Sequence, residues 1–372
     1  MILERKNCIY CKTALEKILE LEKFPIKFAC VKEKEEWENT TLSFSYCNNC
    51  KTIQLDKLID LKTLYSVSHN TNIVGNLWQN LYTFIKNIIT EDVEKSNVLE
   101  IGCPSGKILK TQDKYNLWYI IDPNVMSINK ENVLTINDFF NENTKLENKI
   151  DLIVHSHLFE HIYDPIKFIQ NCYNILENNG KMVFAIPNME YHLINNISPF
   201  GSLHFEHTIF HTKKKIVKYL QENGFQILNI YDYEKHSIIF ETKKTTNNIN
   251  KYIIKDNTNY LKKFYLNVEF NKKFIEKCTS FLKKEKKNIY IFGASIYSNV
   301  LLYFGLDKLN ISGILDNSVA KHNKYLYGYN IKIYSPEILI DNNSIVILRN
   351  GIYSEEIKKQ IIQLNKNTII ID

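Results

Sequence analysis

Three groups of residues have the types and spacing to do chemistry. Cys8 and Cys11 in "CIYC", and Cys47 and Cys50 in "CNNC", form two knuckles whose sulfurs can converge on one centre. Four thiolates complete a tetrahedron suited to Zn2+ and leave no position for water or substrate, so a metal there would be structural. The alternative is four unligated thiols in a reducing compartment. A second group lies in "VLEIGCPSGK", where Glu100 ends a strand and Gly102 and Gly106 shape the following turn; Asp122 ends the next strand. Glycines let backbone approach a ligand, and a carboxylate at that strand end can accept hydrogen bonds from both hydroxyls of a ribose. The dinucleotide pattern G-x-G-x-x-G and the phosphate loop G-x4-G-K-[ST] are both missing, so NAD and ATP are not the natural ligands. The third group is Glu206 beside His207 in "SLHFEHTIFH", which is either a proton-moving pair or a polar patch capping the next helix.

These residues need elements to hold them. Buried-strand signals occur at "NVLEIG", "LWYIID", "NVLTI", "DLIVHSH" and "GKMVFAIP". Between the last two, "DPIKFIQNCYNIL" has helical apolar spacing behind Asp164 and Pro165, an N-cap and a first-turn proline. A helix in "HTKKKIVKYLQENG" stops at Gly224, and "FQILNIYDY" and "HSIIFETKK", separated by "EK", read as an antiparallel hairpin. The fold class is therefore α/β, an open twisted sheet with a terminal hairpin. Residues 1–70 form a cysteine-bearing amino-terminal domain, with Lys32, Lys34, Glu35, Glu36 and Glu38 as a solvated excursion between the knuckles. Residues 71–245 form the central domain. Residues 246–372 form a second α/β domain, entered through a polar linker at 245–258 and the lysine-rich helix "YLKKFYLNVEFNKKFIEKCTSFLKKEKK". Its strands are "NIYIFGA", "ISGILDN", "SIVILR" and "TIIID".

A chain of 372 residues exceeds what one core usually supports, which agrees with several domains. The net charge of +6 comes from scattered lysines, Arg5 and Arg349 being the only arginines. Without arginine forks or a concentrated basic face, nucleic acid is not an expected partner. No leader and no run of about 18 apolar residues occurs, so neither secretion nor a membrane span is expected and the cytoplasm is the default location. In that compartment the eight cysteines serve as ligands or core residues rather than disulfides.

The order Glu100-Ile101-Gly102-x-x-x-Gly106, then Asp122 one strand later, resembles the motifs of class I S-adenosylmethionine-dependent methyltransferases. The resemblance implies that Gly102 and Gly106 frame the cofactor's methionine end and that Asp122 holds its ribose. It also implies that Asp138, in "NDFF", meets the adenine amine. The stretch from His155 to Pro165, including His157 and His161, resembles the segment beside the transferable methyl group. From the residues alone these histidines are pocket walls or ordinary hydrogen-bonded groups, their spacing falling short of a recognisable metal site.

The arrangement along the chain resembles a narrower family, the sugar C-methyltransferases of deoxysugar biosynthesis, which methylate C3 of a nucleotide-bound 4-keto-6-deoxysugar. Members carry a four-cysteine zinc domain, a methyltransferase domain and a carboxyl-terminal α/β domain with a Gly-Ala-Ser turn, matched here by Gly293, Ala294 and Ser295. That turn either binds a phosphate of a nucleotide sugar through backbone amides or merely permits close packing. The family's Tyr-His-Glu-His run corresponds to His204-Phe205-Glu206-His207, so this chain departs from it at the first two positions. The resemblance implies His207 as the base that forms an enolate beside the ketone, Glu206 as its tuning neighbour and His204 as a donor to the oxyanion. Tyr65 resembles a tyrosine near the substrate entrance. A rival expectation is O-methyl transfer to a surface-glycan sugar or its activated precursor. Another is a protein or RNA methyltransferase, or a noncatalytic interaction protein. The oligomeric state is left open.

Overall fold

The computed structural model describes residues 2–34, 37–65, 76–246 and 250–372. Glu35 and Glu36 of the expected excursion, residues 247–249 of the expected linker and the residues that follow Tyr65 lie outside it. The chain falls into two compact units that are discontinuous in sequence. One contains 1–74, 189–206 and 259–372; the other contains 75–188 and 207–258. The sequence reads as three consecutive stretches, whereas the amino- and carboxyl-terminal stretches share a unit.

The unit built from 75–188 and 207–258 is a seven-stranded sheet. In chain order its strands are β1 Asn97–Ile101, β2 Leu117–Ile121, β3 Val133–Ile136, β4 Ile150–Ser156, β5 Leu176–Pro187, β6 Phe225–Tyr233 and β7 Ser237–Lys244. Their spatial order is β3-β2-β1-β4-β5-β7-β6, parallel except for β7, which runs antiparallel to β5 and β6. This is the expected open sheet with its hairpin. Glu234 and Lys235 make the hairpin turn with φ of 47° and 59°, a left-handed pair that matches the twist of the flanking strands.

Alternation sets the two faces. Val98, Ile120, Leu152, Val154, Val183, Ala185 and Ile239 meet the helix Asn76–Val93 through Leu81, Ile85, Ile89 and Val93. Those four recur every four residues and so form one stripe. On the other face, Phe184 lies 5.0 Å from Phe240, both rings being buried. The helix Pro165–Ile175 starts as expected, Asp164 accepting the Lys167 N–H with Pro165 in the first turn.

In the other unit, Ile2–Glu4 pairs with Lys57–Ile59, and Glu16–Pro25, Asn39–Tyr46 and Ile53–Leu55 form a three-stranded antiparallel sheet. A second seven-stranded sheet runs in the order Ile369–Ile371, Ser344–Leu348, Asn288–Phe292, Gly313–Leu315, Ile331–Tyr334, Tyr325–Leu326 and Cys30–Val31. Its last strand comes from the amino-terminal stretch. The segment 189–206 is tied to the helix Tyr260–Leu282, where buried Asn267 accepts the Phe200 N–H through Oδ1 and donates through Nδ2 to the Ser198 carbonyl. Tyr260 donates to Glu190 at 2.6 Å, and Arg349 donates to the Asn196 carbonyl. Among the described residues no helix is long and apolar enough to cross a membrane.

Candidate functional site

The turn after β1 is built around Glu100. Its side chain is fully buried; Oε1 accepts from the Ile108 N–H, and Oε2 accepts from the Leu109 N–H and the Trp118 indole. Burial pushes its carboxyl above the usual range, against those three donors. Both oxygens are used inside the protein, so Glu100 shapes the loop that would meet a cofactor rather than offering an oxygen to it. Gly102 has φ of 71°, and a Cβ there would come within 2.6 Å of Leu158. Gly106 follows at φ 59°. Both are backbone positions that only glycine fills without strain.

Asp122 stands at the end of β2, largely buried, with Oδ1 accepting the Asn124 N–H at 2.8 Å. No described residue bonds its second oxygen, and burial raises its carboxyl. A buried carboxylate with one oxygen open beside a glycine turn fits the ribose of S-adenosylmethionine. Asp138 is exposed, and its Oδ1 accepts the Phe139 N–H.

The histidines after β4 have distinct surroundings. His155 is enclosed by aromatic rings, stacked on Phe184 at 4.7 Å and edge-on to Phe168 at 5.4 Å; neither ring nitrogen has a partner. Burial alone drops it to about 3, so it stays neutral. It is a core residue, neither a pocket wall nor a hydrogen-bonded group. His157, at φ 52°, contacts Ser156 through Nδ1 and Ser237 through Nε2, and its ring packs edge-on to Trp78 at 4.4 Å. A ring fixed at both nitrogens offers shape to a cofactor more readily than a proton.

His161 and His207 lie with ring centroids 4.5 Å apart, nearly perpendicular. Glu160 completes the group: one ligand atom from each of Glu160, His161 and His207 lies within 4.8 Å of the others. Sequence reasoning missed Glu160 as a member of this group. A charged residue in "HLFEHI" reads as solvated, yet it is 1% exposed.

The division between the two units falls at the peptide bond joining Glu206 to His207. In its own unit Glu206 is buried, and its N–H donates to Nδ1 of His204 at 3.2 Å. That bond leaves Nε2 of a neutral His204 as the protonated nitrogen, the tautomer a hydrogen-bond donor needs. The His204 ring stands edge-on to Phe28 at 4.9 Å. Tyr65 closes a short helix, Leu61–Leu64, through its N–H to the Leu61 carbonyl.

The two cysteine knuckles share one local geometry. Lys12 and Lys51 each take φ of 60°, and each donates its N–H to the carbonyl of the first cysteine four residues back, Cys8 or Cys47. The four sulfurs form one cluster, with Cys8 and Cys50 at 3.4 Å and Cys11 and Cys47 at 3.3 Å, and no disulfide. Gln54 donates to Cys8 Sγ and is itself held by the Ile9 N–H, a support that orients a ligand sulfur. The set fits a tetrahedral metal. Of the remaining cysteines, Cys172 and Cys278 are core residues.

The Gly293-Ala294-Ser295 turn is already occupied by its own unit. Gly293 N–H donates to the Leu315 carbonyl and Ala294 N–H to Asp316 Oδ2. Two of the amides proposed for a phosphate are therefore bonded internally. A Cβ at Gly293 would meet Asn350 at 2.7 Å, so close packing also demands glycine there.

Residues 76–230 match the family model described as a methyltransferase domain, and residues 241–369 match the model described as a C-methyltransferase C-terminal domain. No curated protein matches the chain. Among solved structures, N-methyltransferase NodS from Bradyrhizobium japonicum WM9 is 12% identical, with 46% of this chain and 98% of that one covered at a TM-score of 0.37. Magnesium protoporphyrin IX methyltransferase (ChlM) from Synechocystis PCC 6803, with bound SAH, is 14% identical, with 47% and 90% covered at a TM-score of 0.36. Likenesses this remote carry no weight beside the family matches. The sheet order and those matches define an S-adenosylmethionine-dependent methyltransferase of the class I fold.

Proposed function

We propose that this enzyme methylates a nucleotide-linked sugar, at C3 of a 4-keto-6-deoxysugar. The observation that carries the reading is the match of residues 241–369 to a C-methyltransferase C-terminal domain, behind a methyltransferase domain and a four-cysteine cluster. S-adenosylmethionine supplies an electrophilic methyl group on a positively charged sulfur. Gly102 and Gly106 would admit its methionine end, Asp122 would accept from its ribose hydroxyls, and Asp138 would meet the adenine amine. His157 would fix the shape of the pocket.

A ketone at C4 acidifies the proton on C3. His207 takes that proton, its imidazole being suited to a base near neutral pH. Glu206 tunes the base, and the Nε2–H of His204 stabilises the enolate oxygen. His161, Tyr65 and the turn at Gly293 and Ser295 bind the sugar nucleotide. The cysteine cluster holds a structural Zn2+.

The test is incubation of purified enzyme with labelled S-adenosylmethionine and a panel of nucleotide sugars with and without a 4-keto group. NMR then locates the transferred methyl. Methyl on the carbon beside the ketone supports the enolate route. An O-methyl product would remove it while leaving the cofactor assignment intact.

A further inference from the structure

Glu160 is a buried acid that the proposed chemistry does not use. The single turn Phe159–His161 at the end of β4 places it beside His161, the His161 N–H closing the turn on the Leu158 carbonyl. Its Oε2 has no hydrogen-bond partner and its side chain is 1% exposed. A buried carboxylate oxygen left without a partner is costly. A cation within reach of that oxygen removes the cost.

The neighbours able to hold one are His161 and His207, each with a ring nitrogen within 4.8 Å of the other's and of a Glu160 carboxylate oxygen. Bonds of about 2.0–2.2 Å to nitrogen and oxygen require donors roughly 3.4 Å apart around a tetrahedral ion. Binding an ion would hold these donors at that spacing. Two imidazoles and one carboxylate suit a borderline divalent transition ion and leave part of its coordination sphere open. This donor set differs from the closed four-thiolate cluster in the other unit.

We propose that Glu160, His161 and His207 form a second divalent-metal site, and that occupying it silences the enzyme. A lone pair of His207 given to a metal is no longer available to take a proton from substrate. The competition rests on the reading of His207 as base; the site itself does not.

The experiment loads the full chain with Co2+ and follows the spectrum, then counts bound metal after gel filtration. The four-cysteine cluster gives thiolate-to-cobalt charge transfer. A second equivalent at Glu160, His161 and His207 adds d–d bands without it, and is lost in both Glu160→Gln and His161→Asn while the charge-transfer signal persists. A single equivalent in the wild type, or a second one retained by both variants, overturns the site. In the wild type, turnover falls as the second equivalent fills. Undiminished turnover at full occupancy overturns the competition, and with it His207 as base, even where the metal count stands.

Discussion

After strand Asn97–Ile101 the chain turns at Gly102, and after strand Asn288–Phe292 it turns at Gly293, with φ of 71° and 96°. In both, the glycine N–H donates to the last residue of the adjoining strand, Ile121 or Leu315. In both, an aspartate follows that strand and its Oδ1 accepts an N–H two residues on, at 2.8 Å: Asn124 for Asp122, Ser318 for Asp316. The second oxygen separates them. That of Asp316 is taken by Ala294 N–H and by Lys321, each at 2.9 Å, whereas no described residue bonds that of Asp122. One α/β corner is closed by its own lysine; the other keeps an acceptor for a ligand. Fold alone does not make a site, and the unspent oxygen is what distinguishes the corner proposed for S-adenosylmethionine.

The largest expected effect comes from Glu100, which has no counterpart in the second corner. Glu100→Ala strands three buried donors, Ile108 N–H, Leu109 N–H and the Trp118 indole, and costs about 3–5 kcal/mol in denaturant unfolding. His155 comes next. Where the second sheet places Leu348 beside Phe292, the first places His155 beside Ile101. Held near 3 when folded, His155 binds fewer protons than in the unfolded chain, whose histidines titrate near 6.5. Its contribution is therefore constant above about pH 6.5 and stability is lost as pH falls from there toward 3. His155→Leu should remove about 2 kcal/mol of the loss between pH 7 and pH 5, read as the difference in unfolding curves.

Lys321→Met tests the closed corner. It leaves Asp316 without its cation and should cost about 1–2 kcal/mol, with cofactor affinity unchanged by calorimetry. The smallest effect is at a helix start. Thr212 Oγ1 accepts the Lys215 N–H, whereas Tyr353 at the head of Ser354–Leu364 offers no side-chain cap. Thr212→Ala should cost about 1 kcal/mol in thermal unfolding.

What the sequence made legible follows from how local each signal is. Apolar runs bounded by turns marked all seven strands of the methyltransferase sheet, and Asp164 with Pro165 marked a helix start, because these patterns are complete within a few residues. The strand Cys30–Val31 carries no such pattern: two residues become a strand only by pairing with Tyr325–Leu326. The attachment of 189–206 to the helix Tyr260–Leu282 depends likewise on Asn267, a polar residue whose burial only its partners reveal. Glu160 was hidden for the same reason. The cysteine knuckles and glycine turn were visible because their chemistry fixes their spacing, while the second oxygen of Asp316 is taken by the Ala294 N–H and by a lysine five residues on, neither of which marks itself in the sequence.

The most direct test is titration calorimetry of S-adenosylhomocysteine against the wild type, Asp122→Ala and Asp316→Ala, each confirmed folded by circular dichroism. Loss of charge-assisted hydrogen bonds to the ribose should weaken binding roughly 10- to 100-fold in Asp122→Ala, with Asp316→Ala close to wild type. Wild-type affinity in Asp122→Ala, or a loss confined to Asp316→Ala, would contradict the assignment of the open corner as the cofactor site.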